Sequence, residues 1–220
     1  PEIQSLHYEL LPELAWNYGL SYLKGFRIGT IPLNFNLDLF RTSFVNQVVV
    51  DWEALGQVSF YNIDGDSYAN SLQFGLDARL FRKIDARFSY KFFDVQVDYV
   101  AAKKQKPLQP KQRFFLNLGY VGDQWRADAT YHYTGPQRIP ATIQHPNGFE
   151  SDAFGLMNAQ ITYIPKPNFE IYMGGENLTN YKQVQPILSA DQPFSSTFDS
   201  SLVYAPVFGR MMYMGLRYNL

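Results

Sequence analysis

The sequence predicts an all-β fold, an antiparallel transmembrane β-barrel, from three observations. Apolar side chains recur at every second position in about nine separate stretches, the period of a strand with one greasy face. Aromatic residues make up 17% of the chain, with 16 Tyr and 18 Phe, and such rings suit strands and boundaries between water and a dry phase. The connections alternate between short and long, the rhythm of an up-and-down barrel.

Taken in order, the first stretch is "ELAWNYGLSYL", with Leu14, Trp16, Tyr18, Leu20 and Tyr22 on one face and Glu13, Ala15, Asn17, Gly19 and Ser21 on the other. In "IPLNFNLDLF", Ile31, Leu33, Phe35, Leu37 and Leu39 oppose Asn34, Asn36 and Asp38. Leu72, Phe74, Leu76 and Leu80 oppose Gln73, Gly75, Asp77 and Arg79. Ile84, Ala86, Phe88, Tyr90 and Phe92 oppose Asp85, Arg87, Ser89 and Lys91. Phe114, Leu116, Leu118 and Tyr120 oppose Arg113, Asn117 and Gly119. Trp125, Ala127, Ala129, Tyr131 and Tyr133 oppose Arg126, Asp128, Thr130 and His132. Met157, Ala159, Ile161 and Tyr163 oppose Asn158, Gln160 and Thr162, and Phe169, Ile171 and Met173 oppose Glu170, Tyr172 and Glu176. In the terminal stretch Met212, Met214, Leu216, Tyr218 and Leu220 share the apolar parity, opposite Arg217 and Asn219.

Short connections are expected at Phe81 to Lys83, Val121 to Gln124 and Ile164 to Asn168, and a fourth at about Lys24 to Thr30, where the parity slips near Pro32. Long ones are expected at about Val45 to Asn70, Asp94 to Gln112, Gly135 to Asp152 and Leu178 to Gly209. A soluble β-sandwich or a lipocalin-like barrel would also alternate. Three features favour a membrane wall. Large aromatics gather near strand ends on the greasy parity (Trp16, Tyr22, Tyr120, Trp125, Tyr133, Tyr163, Phe169, Tyr218), as interfacial girdles do. The opposite parity mixes both charge signs with Gly, Asn, Gln and Thr, which suits a wet lumen. The long loops all fall on one side.

Composition narrows the function. A formal net charge of −1 gives no electrostatic reason to expect nucleic acid. The absence of cysteine removes disulfides and thiolate metal sites. No apolar run approaches the ~18 residues of a membrane-spanning helix. Of the three histidines, His7 and His145 fall in predicted external loops. Asp128 and His132 share a strand face as a catalytic base and its orienting acid would, but two polar side chains in a wet channel explain the pattern without chemistry. The lumen parity of His132 also argues against a phospholipase, whose nucleophile must meet lipid. The acids of "YNIDGDSYAN" fit no EF-hand spacing. No catalytic residue, cofactor or metal site is expected. The basic run in "VAAKKQKPLQPKQR" suits an anionic ligand or a lipopolysaccharide phosphate, and equally a solvated loop.

The last forty-odd residues carry a resemblance. "GGENLTNYKQVQPI" and "PFSSTFDSSLVYAPVFGRMMYMGLRYNL" resemble the C-terminal end of a TonB-dependent outer-membrane receptor of Bacteroidetes type. The strongest matches are Glu176 to Tyr181, Phe198 to Pro206 and the terminal strand; "PELAWNYGLSY" and "FNLDLFRTSFVNQVVVD" resemble the family's later barrel strands. The resemblance implies a wide barrel around an N-terminal plug domain, of which residues 1–220 would be the C-terminal barrel part. Counting about nine strands back from a periplasmic C-terminus puts Pro1 outside the cell, so further strands are expected upstream.

The implied function is TonB-dependent import of a scarce nutrient (an iron chelate, cobalamin, a glycan or a peptide) across the outer membrane; a passive porin is the alternative. The implied partners are the plug and remaining strands of the same receptor, TonB through the plug, the barrel-assembly machinery, and lipid with lipopolysaccharide. A surface lipoprotein is a further candidate. Within the loop from Leu178 to Gly209, Tyr181, Phe194, Phe198 and Tyr204 are candidates for ligand contact, although a loop packed onto the barrel would also use such aromatics. Barrels of this kind end in an assembly signal with a final hydrophobic residue, usually Phe. Here Met214, Leu216, Tyr218 and Leu220 are the candidates for it, with Leu220 in the place of Phe.

Overall fold

A computed structural model describes residues 10–51, 58–63, 65–99, 102–140 and 150–219. Every regular element among them is a strand: β1 (Leu14–Ile28), β2 (Ile31–Asp51), β3 (Ser59–Ile63), β4 (Tyr68–Leu80), β5 (Ile84–Asp98), β6 (Lys103–Gln105), β7 (Gln112–Val121), β8 (Trp125–Thr134), β9 (Phe154–Lys166), β10 (Phe169–Glu176) and β11 (Met211–Tyr218). Nine of them form an antiparallel meander in the order β1-β2-β4-β5-β7-β8-β9-β10-β11. β3 and β6 pair only with the far ends of β2 and β5. The sheet does not close, because β1 and β11 each have one neighbour among the described residues.

The register carries the alternation across the whole sheet. One row runs Phe26–Leu33–Ala78–Ala86–Leu118–Ala129–Ala159–Gly175–Met212 through all nine meander strands. The row beside it, on the other face, runs Gly25–Asn34–Asp77–Arg87–Asn117–Thr130–Asn158. A slip of one residue anywhere would exchange the two faces, so the pattern fixes the pairing.

No second layer covers the apolar face. Trp16 is 72% exposed and Met214 77%, whereas in a sandwich such residues would be buried between two sheets. The described side chains that are buried and apolar lie at the long-loop end instead: Val49, Ile63, Val97 and Tyr99 cluster there with Tyr61. On β5 the faces trade character at that end. From Ile84 to Phe92 the apolar row is Ile84, Ala86, Phe88, Tyr90 and Phe92; beyond it the same row reads Asp94, Gln96 and Asp98, and the polar row becomes Phe93, Val95 and Val97. A nine-residue apolar row at ~3.4 Å per residue and a ~40° tilt stands ~20 Å tall, close to the ~25 Å apolar band of a membrane barrel.

Besides the turn expected from Ile164 to Asn168, which narrows to Pro167 and Asn168, the connections differ from expectation in two respects. The first connection is not a loose turn from Lys24 to Thr30: β1 and β2 stay in register to Ile28↔Ile31, and only Gly29 and Thr30 turn the chain, Gly29 at φ 60°. Pro32 opposes Arg27 without a slip, since a proline in the first residues of a strand need lose no ladder bond. The second difference lies in the long loops. β2 and β5 run on past the apolar band and recruit β3 and β6, where the sequence pattern shows only loop. Elsewhere glycines receive cross-strand aromatic rings. A Cβ on Gly174 would stand 2.5 Å from the Tyr213 ring, and one on Gly215 2.4 Å from the Tyr172 hydroxyl.

In the last hairpin Met214, Leu216 and Tyr218 oppose Met173, Ile171 and Phe169, all on the apolar face; Leu220 lies outside the described residues. Tyr218→Asp places a carboxylate beside Phe169 in that face. The expected result is a drop in the amount of assembled full-length protein, read by surface labelling. Normal surface abundance would show that assembly does not depend on the apolar face of this strand.

Candidate functional site

Two regions bear on function: the base of the loop after β10, and the polar face of the sheet. The loop base is organised by Asn177. Its backbone adopts φ 49° directly after β10, and the residue is 8% exposed. Its backbone N–H donates to Asn158 Oδ1 (2.9 Å), and its Nδ2 donates to the carbonyls of Tyr181 (2.7 Å) and Phe208 (3.1 Å). Its Oδ1 accepts from the Tyr181 N–H and the Thr179 hydroxyl, both at 3.1 Å. One side chain thus ties the first and last residues of the loop to each other. Thr179 also donates to the Gly155 carbonyl at 2.7 Å, and Asn180 Oδ1 accepts from the Arg210 N–H at 3.0 Å. Further along, Gln183 donates to the Leu202 carbonyl and accepts from the N–H groups of Tyr204 and Ala205.

The four loop aromatics separate. Tyr181 stacks on Phe154, ring centroids 4.9 Å apart and nearly parallel. Burial, with the negative charge of Asp152, pushes its phenol up from the ordinary value. Tyr204 is half-buried on the Gln183 clasp. Phe198 lies next to Asp199, whose backbone pairs with Leu188. Phe194 is fully exposed at the tip between those bridge partners. Sequence reasoning singled out the "ENLTNY" stretch but gave Asn177 no structural part; the available signal was an Asn directly after a strand, a residue type that tolerates left-handed backbone.

On the polar face, charges pair across strands. Arg79 Nε lies 2.6 Å from Asp85 and Arg87 Nε 2.7 Å from Asp77, lining a shallow recess with Asn34 and Asn117. Glu170 receives both Arg217 (2.9 Å) and Arg126 (3.4 Å). Asp128 accepts from Asn117 at 2.8 Å and from Thr130, while the His132 ring meets that of Phe115 at a tilt, centroids 5.0 Å apart. The two do not bond to each other, so they form no acid–base dyad. His7 and His145 lie outside the described residues. Among the described residues no group of three or more His, Asp or Glu is placed to hold a metal ion.

Comparison with known proteins accounts for this wall. A family model described as TonB dependent receptor-like, beta-barrel matches residues 6–178. No curated protein matches in sequence. Solved structures similar in fold include the ferric-catecholate import receptor Fiu from E. coli K12 in its closed form, at TM-score 0.66 and 14% identity, over 96% of this chain and 28% of that one. The copper transporter OprC matches at TM-score 0.62 and 14% identity, over 96% of this chain and 32% of its own. The siderophore receptor PiuA from Acinetobacter baumannii matches at TM-score 0.60 and 16% identity, over 94% and 28%. The chain thus spans about a third or less of the length of these proteins, which are transport receptors and not enzymes. An open antiparallel sheet with one apolar face, one charged face and its long loops at one end is a segment of such a barrel, and the chain belongs to the TonB dependent receptor-like, beta-barrel family.

Proposed function

We propose that residues 1–220 form the C-terminal part of the barrel of an outer-membrane receptor that imports a scarce nutrient at the expense of TonB-transmitted energy. The family match over residues 6–178 carries this reading. In such a receptor the apolar row meets lipid, the charged face meets the lumen and a plug domain, and the long loops reach outside the cell. The remaining strands cover the free edges of β1 and β11, and the barrel-assembly machinery inserts the whole. An iron chelate, cobalamin, a glycan and a peptide are all candidate cargoes; the names of the similar structures point first to metal and metal-chelate uptake. The test is uptake by cells carrying the full-length receptor, with and without TonB. Accumulation that stops without TonB supports the reading. Accumulation that continues unchanged makes the protein a passive porin.

The recognition surface proposed within the last loop is its exposed tip. Residues 190–197 lie between the paired Leu188 and Asp199, so their removal leaves Ser189 and Phe198 as a two-residue turn and the Asn177 clasp untouched. The expected result is weaker uptake by a normally assembled barrel. Unchanged uptake would remove Phe194 and its neighbours from the ligand surface. Lipid contact has its own candidate just above the apolar band. Arg41 lies 4.7 Å and Lys103 5.8 Å from the centre of the Tyr68 ring, and Lys111 lies 3.4 Å from Asp94. This cationic rim beside the row Leu39–Leu72–Phe92 suits a lipopolysaccharide phosphate.

A further inference from the structure

On β5, β7 and β8 the charged face is balanced at the short-turn end and cationic towards the long loops. Arg79, Arg87, Arg126 and Arg217 each lie against a carboxylate. Lys91 and Arg113 do not. They stand directly opposite each other on β5 and β7, on the polar face, and neither has a carboxylate partner among the described residues. Like charges placed directly opposite destabilise a strand pair, so the arrangement works against the fold unless something negative is brought to it. Lys91 meets instead the Phe93 ring, its ammonium 4.9 Å from the centre. The row continues to Gln73 on one side and Thr134 on the other, and the first carboxylate along it is Asp38, two strands away and bonded to the Ser21 hydroxyl at 2.6 Å. One row nearer the short-turn end lie Ser89, Phe115 and His132. No acidic residue lies on the polar face of β5, β7 or β8 between this pair and the long loops.

We propose that Lys91 and Arg113, with the tilted ring pair of Phe115 and His132 beside them, form a binding step on the inner wall for an anionic cargo that carries a flat or aromatic group. The Cβ atoms of directly opposed residues stand about 5 Å apart, so an ammonium and a guanidinium fork can close on one oxyanion group, the fork in two parallel bonds. The anion turns the repulsion between the two cations into two attractions. The adjacent rings offer a face to a planar substituent. A cargo entering from the long loops along β5, β7 and β8 meets this patch before the balanced zone beyond it, so these three strands draw an anion inward without a carboxylate of their own competing.

The inference rests on the uptake reading, and its test separates the two. Full-length receptor in detergent is titrated with an anionic ferric catecholate chelate and with an uncharged ferric hydroxamate chelate, followed by protein fluorescence. The anionic chelate is expected to bind the unmodified receptor with an affinity that falls as salt rises. In the double variant Lys91→Gln, Arg113→Gln that affinity should fall about tenfold or more, two charge-assisted bonds being lost from a partly solvated site. The charge-preserving Lys91→Arg, Arg113→Lys should retain most of it, and the uncharged chelate should respond to neither change. Anionic binding that survives the double Gln substitution within twofold overturns the inference, as does an unmodified receptor that binds no anionic chelate; the uptake reading stands in both cases. Binding that depends on the pair in a receptor whose accumulation ignores TonB leaves this site in place and removes the uptake reading.

Discussion

Arginine at Leu118 or Ala129 is expected to cost about 2–4 kcal/mol of barrel stability, the penalty for a cation at the bilayer midplane. The two residues are directly paired in the row that crosses all nine meander strands, with apolar residues on every side. Neither guanidinium would find a carboxylate on that face, and neither lies near enough to a strand end to reach the headgroups. Phe74 and Ile161 lie on the same face, and the same substitution there is expected to be costly in proportion to depth. The contrast is Asn117→Arg, one residue from Leu118 along β7. There the new cation faces Asp128, already 2.8 Å from the Asn117 amide, and the loss should stay within about 1 kcal/mol. Gln160→Arg, on the polar face of β9, should behave likewise. The measurement is reversible unfolding of the full-length receptor in lipid bilayers with each variant. Equal losses on the two parities would refute the assignment of lipid and lumen faces.

The wall was legible because a membrane barrel writes its fold in period two, and a one-residue error in any strand would have broken the apolar row. All nine meander strands and the expected tight turns at Phe81 and Val121 follow from that alternation; the third, expected from Ile164 to Asn168, narrows to Pro167 and Asn168 because β9 runs on to Lys166. The alternation stops informing where the membrane stops. Beyond Phe92 the polar row of β5 becomes Phe93, Val95 and Val97; the two valines are buried, and Val97 packs with Val49 and Ile63 of the β2–β3 hairpin rather than facing water. A reading that fixes one parity as greasy then ends the strand too early. The loop base was hidden for a different reason. Asn177 acts through five hydrogen bonds whose partners lie between 2 and 31 residues away, and no local period marks such a hub. The opposed Lys91 and Arg113 were present in the alternation as lumen-facing cations, but only the β5–β7 register shows that they meet.

Asn177→Ala is expected to release the last large loop from the wall. Four of its hydrogen bonds come from the side chain and vanish: those to the carbonyls of Tyr181 and Phe208, and those from the Tyr181 N–H and the Thr179 hydroxyl. At roughly 0.5–1.5 kcal/mol each, with the site buried enough that water does not fully replace them, they total about 2–6 kcal/mol. Alanine also inherits the left-handed backbone at φ 49°, which adds about 1 kcal/mol or more. Asn177→Gly isolates the two parts, because glycine accepts that backbone freely while losing the same bonds; it should fall short of the alanine loss by about that second amount. The β10–β11 ladder remains, so the barrel should still assemble, and the damage should appear as faster proteolysis within residues 178–209 and a lower free energy of local opening by hydrogen exchange. Tyr181 reports the same event. Once its N–H and carbonyl lose Asn177, its ring should leave Phe154, and its phenol should titrate closer to its ordinary value. If alanine and glycine both leave the loop as protected as asparagine does, the clasp is incidental and the loop is held by its Gln183 and Thr179 contacts alone.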